Sequence, residues 1–481
     1  MKKASTILLA SLMGLAFSII ALRLGGATSA QAAPGILYVA PGGACGGGVP
    51  NCYASLQEAV DAAAPGDEIR AAAGTYTDLS VRPRRDITTT GFVTQTLYLS
   101  KTVTVRGGYS SNFSTRNPDL YATILDAQGK GRGVYVTGEI SPTIDGLHIT
   151  GGDATGMTGY GYYGAYDAGG GVYVMTATVT LSNNQIYSNT ASYGGGGVFL
   201  GYSHGQLQDD KIFHNHVNSG GGGGIFFYNG NPTLEASAVM SNTSDNLGGG
   251  LYIFSSAATL TGNTIQGNSA NSIGGGLDVA SCSPTLKGNI FTGNSANLGG
   301  GAYLWYNHSL LTNNVFLKNQ ANQRGSGLWI GGSNPLLLHT TFAGNSGGDG
   351  SAVMVADANT TPSTLMITNT ILVSHTVGIS ITADSAATIN GILWFNSPIT
   401  VSQTTGTFNI QHQYQGDPAF SADGYHITAG SAAIDKGVPA GVLSDIDGQP
   451  RPVQTPDLGA DEYWGTGSPE FIYLPLVSSQ Y

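Results

Sequence analysis

Charged side chains are scarce in this sequence, and basic ones are the scarcest. Asp, Glu, Lys and Arg make up 10% of the 481 residues, whereas 41% of the residues are hydrophobic. Low charge at ordinary hydrophobicity excludes a disordered chain. The 29 acidic residues outnumber the 18 basic ones, and this balance disfavours nucleic acid and anionic lipid as partners.

Helix-length apolar patterns are also missing from most of the chain. Apolar and β-branched residues come in runs of two to five with period-two alternation, and the 73 glycines interrupt them every few positions. Such runs are too short for helices and are typical of short strands. The sequence therefore predicts an all-β protein.

The two chain ends lack the features of lasting membrane attachment. Two lysines precede an apolar run at 7–22, a small-x-small motif ends at Ala32, and no cysteine lies nearby to carry a lipid. We interpret residues 1–33 as a signal peptide and expect export to the cell surface or medium. Residues 465–481 form a linker and a short tail without an LPxTG motif, and the apolar segment 471–477 is too short to span a bilayer. That segment is either a sorting signal or a last strand.

One sequence unit recurs between residues 169 and 350. Each copy opens on a glycine run followed by an apolar-x-apolar strand, and successive copies are 25 to 27 residues apart. The first apolar residues are Val172, Val198, Ile225, Leu251, Leu277, Ala302, Leu328 and Val353. A period this strict predicts a solenoid in which each strand pairs with its copy one coil away, about 4.8 Å along the axis. Parallel pairing is possible because every coil supplies a full-turn crossover.

The second half of every copy has the pattern apolar-x4-apolar-x2-Asn, as in Leu181, Ile186 and Asn189. The column comprises Asn189, Asn215, Asn242, Asn268, Asn294, Asn319 and Asn345. Asparagine tolerates the left-handed backbone of a sharp turn, and its amide can pair with the amide of the next coil. We interpret the column as a structural hydrogen-bonded ladder.

The segments before and within the repeats resemble known β-helix families. The stretch YASLQEAVDAAAPGDEIRAAAGTYT places Ser55 before a short amphipathic helix and resembles the N-terminal cap of pectin-lyase-like proteins. PTIDGLHITGG and the glycine–asparagine repeats resemble right-handed parallel β-helix repeats and the repeats of polymorphic outer-membrane proteins. The resemblance implies a right-handed parallel β-helix with a short N-terminal capping helix. That fold carries lyases, hydrolases, esterases and adhesins.

The chain after the repeats resembles a third family. GDPAFSADGYHITAGSAAIDKG, followed by DIDGQPRPVQTPDLGADEY, is similar to the C-terminal end of choice-of-anchor Q domains. We therefore expect a cap at 34–80, β-helix coils at 81–416 and a closing region at 417–464. No block of alternating strands of about ten residues follows the coils, so we expect no transmembrane barrel.

The three cysteines support two readings. Cys45 and Cys52 bracket a glycine-rich loop and can form a small disulfide in an oxidising compartment, or they can remain two unpaired thiols. Cys282 ends a repeat strand, and we expect it to be buried rather than reactive.

Residues suited to catalysis are sparse along the repeats. Polysaccharide lyases of this fold use a calcium site with a basic residue, and its hydrolases use clustered aspartates on neighbouring coils. The outward central positions of the repeat strands hold mostly aromatic residues instead: Tyr173, Phe199, Phe226, Tyr252, Asp278, Tyr303, Trp329 and Met354. We therefore assign no catalytic residue, no metal ligand and no cofactor.

Calcium remains an alternative at one acidic group near the C-terminus. The group comprises Asp445, Asp447, Asp457, Asp461 and Glu462. Aspartates also cap turns, and this is their commoner use in such loops.

Three functions remain open. The first is an exported, non-catalytic β-helix that uses the residues from Tyr173 to Trp329 as an outward aromatic strip for adhesion or carbohydrate contact. The second is a polysaccharide lyase or glycoside hydrolase, and the third is a structural surface component. Loops or a partner subunit can also shield such aromatic columns, and the sequence leaves the oligomeric state open.

Overall fold

The computed structural model describes residues 33–50, 52–85, 91–157, 167–382, 384–403, 406–452 and 454–465. The predicted signal peptide, apart from residue 33, and nearly all of the predicted linker and tail lie outside these residues. The coils and the C-terminal region belong to one compact unit, Gly35–Tyr481.

The chain winds into a parallel β-helix, so the predicted fold class is confirmed. The described strands form a long sheet of 25 strands, an aromatic sheet of 13 strands and a short sheet of six strands. Pairing in these sheets is parallel except where Ser80–Pro83 runs antiparallel to Phe92–Leu99. The described part of the chain has an α-helix at Leu56–Ala62 and a 3-10 turn at Pro41–Gly43, and neither is long enough to cross a membrane.

The strands are grouped here by sheet. The long sheet contains Ile36–Val39, Cys52–Tyr53, Glu68–Ala72, Gly74–Tyr76, Thr104–Tyr109, Thr123–Asp126, Thr143–Asp145, His148–Thr150, Thr180–Ser182, Gln185–Tyr187, Gln206–Gln208, Lys211–Phe213, Thr233–Glu235, Ala238–Met240, Thr259–Thr261, Thr264–Gln266, Thr285–Lys287, Ile290–Thr292, Leu310–Thr312, Val315–Leu317, Leu336–Leu338, Thr341–Ala343, Thr364–Val373, Ala386–Phe395 and Thr407–Gln415. The aromatic sheet contains Ser80–Pro83, Phe92–Leu99, Arg132–Thr137, Val172–Met175, Val198–Gly201, Ile225–Gly230, Leu251–Ser256, Leu277–Ala280, Ala302–Trp305, Leu328–Gly331, Ser351–Ala356, Val377–Ile381 and Ile399–Gln403. The short sheet contains Thr190–Ala191, His216–Val217, Thr243–Ser244, Ser269–Ala270, Ser295–Leu298 and Gln320–Arg324.

The register of the sheets aligns equivalent residues of successive coils. Val172 pairs with Val198 in the aromatic sheet, and Leu181 pairs with Leu207 in the long sheet. These inward side chains are fully buried and belong to one continuous apolar core along the coils. Removing this apolar surface from water is the main stabilising term of the fold.

The N-terminal helix packs onto the first coils. Ser55 accepts a hydrogen bond from the backbone N–H of Glu58, whose carboxylate accepts from the Ser55 N–H in return, and this capping box starts the helix. The side chain of Gln57 accepts from the N–H of Tyr98 and donates to its carbonyl oxygen, which ties the helix to the aromatic sheet.

The glycine run of each repeat meets two different requirements. The first glycine has a left-handed backbone, with a φ of 64° at Gly169. The second has no space for a side chain, because a Cβ atom on Gly170 would overlap the carbonyl oxygen of Thr190. The coil therefore turns sharply into the aromatic sheet at the glycine run.

The asparagine column forms a ladder of buried hydrogen bonds. The Asn268 side-chain amide donates to the Asn294 side-chain oxygen at 3.0 Å and to the Val239 carbonyl at 2.9 Å. Its own oxygen accepts from the backbone and side chain of Asn242. The expected left-handed conformation lies one residue earlier, at Ser241 and its equivalents, because the ladder asparagine must point inward.

A second ladder runs parallel to the first. It comprises Asn184, Asp210, Ser237, Asn263, Asn289 and Asn314. Each member stands three residues after the first apolar residue of the long-sheet segment, so the signal was present in the sequence.

The first ladder continues past Asn345 to a buried histidine. Asn345 donates from its backbone N–H and its side-chain amide to Nε2 of His375, which continues the ladder by one coil. Burial lowers the pKa of His375 to about 4, because a charged imidazole would lose its hydration.

The C-terminal region at 417–464 lies along the flank of the coils and not over their end, where we expected it to close the helix. Ile427, Ala433 and Leu458 pack on outward residues of Thr364–Val373 and Ala386–Phe395. The last residues of these strands, 371–373 and 392–395, are apolar on both faces, so the region covers a face that would otherwise be exposed. The last strand of the long sheet, Thr407–Gln415, remains largely exposed.

The structure also shows where the cysteines lie. Cys45 and Cys52 form a disulfide that closes the loop before the N-terminal helix. Cys282 is a half-buried thiol, and burial raises its pKa to about 11.

We expect Asn268→Ala to lower the free energy of unfolding by about 1–3 kcal/mol, because the substitution leaves buried amide partners without a hydrogen bond. Urea denaturation measures the change. Asn271→Ala is the matched control, since Asn271 is an exposed asparagine in the same coil. Equal effects of the two substitutions would contradict a structural role for the ladder.

We expect the wild-type protein to lose stability as the pH falls from about 6.5, the ordinary value for histidine, towards the folded-state value of about 4 at His375. In this window the unfolded chain binds a proton that the folded chain does not. Asn continues the ladder without titrating, so His375→Asn should reduce the loss. Urea midpoints at pH 7 and pH 5 test this, with the exposed His308→Asn as control. If the urea midpoint of His375→Asn fell between pH 7 and pH 5 by as much as that of the wild type, His375 would not be the source of the loss.

Candidate functional site

The predicted aromatic strip is covered along most of its length. Its members stand in register on neighbouring strands of the aromatic sheet, as predicted. Tyr173 and Phe199 are fully buried, Phe226, Asp278, Tyr303 and Trp329 are at most 7% exposed, and Tyr252 is half-buried. The expectation of an open strip for a glycan chain is therefore corrected: most of these side chains belong to two apolar clusters outside the main core of the β-helix.

The cover comes from the turn that precedes each glycine run. Backbone bridges join Gly194, Gly221, Leu247, Ile273 and Leu298 into a ridge beside the aromatic sheet. A Cβ atom on Gly194 would overlap the ring of Phe226, so the ridge lies directly on the aromatic column. The sequence of this turn differs from coil to coil, so the repeat pattern does not predict that the turn packs on the aromatic column.

The ring stack has one gap. Phe226 and Tyr252 stack with centroids 4.8 Å apart, and Tyr303 and Trp329 stack at 4.2 Å. Asp278 lies in register between Tyr252 and Tyr303 and has no ring.

The neighbouring outward column is interrupted on the same strand. It contains Phe254 and Trp305 on the flanking coils and Ala280 between them. The strand Leu277–Ala280 therefore presents two short side chains between two aromatic coils.

The gap forms a cavity of about 230 Å³. Its lining consists of Leu247, Tyr252, Ile273, Asp278, Ala280, Tyr303 and Trp305. Tyr252, Ala280 and Trp305 are half-buried, as are the two aliphatic residues of the ridge, so these side chains are also in contact with solvent. We call this space the Asp278 cavity.

Asp278 is a buried acidic residue in the lining of the cavity. Its side chain is 1% exposed, and its Oδ1 atom has no hydrogen-bond partner among the described residues. Burial raises the pKa of the carboxyl well above its usual range. Burial also raises the pKa values of Tyr252 and Tyr303, so both phenols remain neutral at physiological pH. The cavity therefore combines aromatic walls with one carboxyl group that lacks a partner.

The acidic C-terminal group has hydrogen-bond partners within the protein. His426 bonds to Asp423 at 2.5 Å through Nδ1 and to Asp447 at 2.6 Å through Nε2. Burial alone would lower the pKa of His426, but the bonds to Asp447 and Asp423 raise it to about 9. The imidazole therefore carries a proton and neutralises its neighbours.

The other carboxylates of this group accept hydrogen bonds from the backbone or pair with arginine. Asp445 accepts from two backbone N–H groups of its own turn, Asp457 accepts from Asp435 and Tyr463, and Glu462 pairs with Arg451 at 2.7 Å. Turn capping and ion pairing thus account for these side chains, and calcium binding remains an untested alternative. His426, Asp447 and Asp461 lie close enough to share an ion, but both ring nitrogens of His426 already bond to carboxylates.

Comparison with known proteins supports the fold. The family model of the right-handed beta helix region matches residues 110–275 and 241–392, which together span more than half of the chain. The chain belongs to this right-handed β-helix family. A search of curated proteins found no match.

A crystal structure of pectate lyase Pel9A is similar at 14% identity and a TM-score of 0.32, covering 89% of this chain and 96% of that chain. A similarity of this strength carries no argument about activity.

We expect Asp278→Phe to stabilise the protein, because it restores the ring stack and removes a buried carboxyl without a partner. The expected gain in the free energy of unfolding is about 1–3 kcal/mol. Asp278→Asn keeps the cavity and replaces the buried carboxyl with a neutral amide, so its gain should be smaller. Urea denaturation at pH 7 measures both, and a lower stability of Asp278→Phe would show that the gap is not a void that a ring can fill.

Proposed function

We propose that the chain is an exported, non-catalytic β-helix protein that contacts carbohydrate through the Asp278 cavity, for adhesion or glycan capture. The observation that carries this proposal is the gap in the aromatic stack, with Tyr252 on one side, Tyr303 and Trp305 on the other and a carboxyl group at its base. Binding sites for small ligands are mostly apolar, with a few polar groups that orient the ligand. The apolar face of a sugar ring can stack on such walls while its hydroxyl groups bond to the carboxyl.

The lining favours binding over catalysis. Glycoside hydrolysis uses two carboxyl groups on opposite sides of the scissile bond, and base-catalysed elimination uses a positioned base with a charge-stabilising group. Asp278 is the only carboxyl among the lining residues, and the lining has no lysine, arginine or histidine that could act as the second catalytic group. Export is part of the proposal through the signal-peptide pattern at 1–33.

The proposed contact with a glycan is shorter than the aromatic column. Phe226 and Trp329, the column members next to the cavity walls, are buried. Contact is therefore limited to about two coil steps of 4.8 Å each. One sugar ring fits this length, whereas a chain lying along the whole aromatic column does not.

The test uses the mature chain, residues 34–481, titrated with a panel of soluble oligosaccharides by calorimetry and assayed in parallel for new reducing or unsaturated ends. We expect binding without product. Trp305→Ala should weaken binding by about tenfold, the worth of one aromatic stacking contact.

Phe213→Ala is the matched control. Phe213 belongs to another outward aromatic stack, with Tyr187 on the long sheet, where the ring centroids are 5.0 Å apart. This control should leave affinity unchanged. Product formation would support the lyase or hydrolase alternative, and normal binding by Trp305→Ala would exclude the cavity as the binding site.

A further inference from the structure

The Asp278 cavity lies where the outward aromatic column lacks one ring. Parallel strands lie about 4.8 Å apart, so Tyr252 and Tyr303, two coils apart, lie about 10 Å apart along the axis. Ring pairs on adjacent coils stack at 4.8 Å and 4.2 Å on either side of the gap. The column therefore lacks one ring at the coil of Asp278, between Tyr252 and Tyr303.

The lining of the cavity has an acidic group and no basic one. The lining contains one carboxyl and no lysine, arginine or histidine. The Oδ1 atom of Asp278 has no hydrogen-bond partner among the described residues, although the side chain is 1% exposed. Buried carboxyl groups normally have a cation or several donors as partners. The described residues supply neither to the Oδ1 atom of Asp278, so a ligand that carries such a group would remove the cost of burying it.

The walls of the cavity favour the same kind of ligand. The faces of tyrosine and tryptophan rings carry negative electrostatic potential and attract cations, and ammonium groups among aromatic side chains are the best-known case. An ammonium group also brings three hydrogen-bond donors to the carboxyl. A ring that carries a carboxylate would place like charges together in a buried site.

We propose that the Asp278 cavity binds one sugar ring that carries a free ammonium group, as in a glycan with unacetylated amino sugars. The ring lies between Tyr252 and Tyr303 with Trp305 beside it, and the ammonium group bonds to Asp278. This proposal rests on the carbohydrate contact proposed above and names its ligand class.

The experiment compares four short oligosaccharides of equal length by calorimetry on the mature chain: glucosamine, N-acetylglucosamine, glucose and galacturonic acid oligomers. We expect the glucosamine oligomer to bind at least tenfold more tightly than its acetylated counterpart. Asp278→Asn should reduce this preference to near one.

The matched control is Asp210→Asn. Asp210 is also fully buried but belongs to the second ladder on the long sheet, so this variant should keep the preference. It also controls for the general attraction of a cation to an acidic protein, since it removes an ionisable group without touching the cavity. Circular dichroism establishes that each variant is folded.

Choline is the fifth probe, because it carries a quaternary ammonium group without a sugar ring. Equal binding of the amino and acetylated oligomers would overturn the ammonium proposal and leave carbohydrate contact intact. Choline binding that depends on Asp278, with no oligosaccharide binding, would support ammonium recognition and overturn the carbohydrate source. Absence of binding by all five probes would overturn both proposals.

Discussion

Parallel pairing between each strand and its copy one coil away is the constraint on which this structure depends. The pairing requires that every coil return to the same register, so Val198 stands in register with Val172. Between residues 169 and 350 each repeat is 25 to 27 residues long. Glycine runs permit the sharp turns that make this return possible, and the two buried ladders satisfy the polar groups that the turns leave inside. The apolar core grows by one layer with each coil.

The aromatic sheet is buried on both faces over much of its length. Its inward residues belong to the main core, and its outward residues lie under the ridge that the preceding turns form. A small residue in place of an aromatic one in this outward column therefore leaves a cavity under the ridge and not a shallow depression on an exposed surface. This is why Asp278 and Ala280, two small residues on one strand, create a site between aromatic walls.

The same principle explains the C-terminal region. The long strands Thr364–Val373 and Ala386–Phe395 end in residues that are apolar on the outside as well as the inside, and the region at 417–464 packs on that outer face. Its charged side chains are used within this packing: His426 is held between two aspartates, and Arg451 pairs with Glu462. The region thus stabilises a flank of the β-helix, and its acidic residues have roles that do not require a ligand.

Local sequence determined the parallel solenoid, the strand columns and the first asparagine ladder, because each depends on a residue type that recurs at one fixed spacing. The second ladder is also present in the sequence but in a less regular form, since serine and aspartate replace asparagine at Ser237 and Asp210. The alternation of inward and outward residues was readable as well, including Asp278 as the exception among aromatic neighbours. Only the tertiary structure decided that the outward column is covered. The covering ridge is built from turn residues of neighbouring coils, and the spacing of the repeats does not determine the direction in which these turns fold. The cavity follows from that cover: an outward aspartate on an open face would be solvated, and under the ridge it becomes a buried carboxyl between rings.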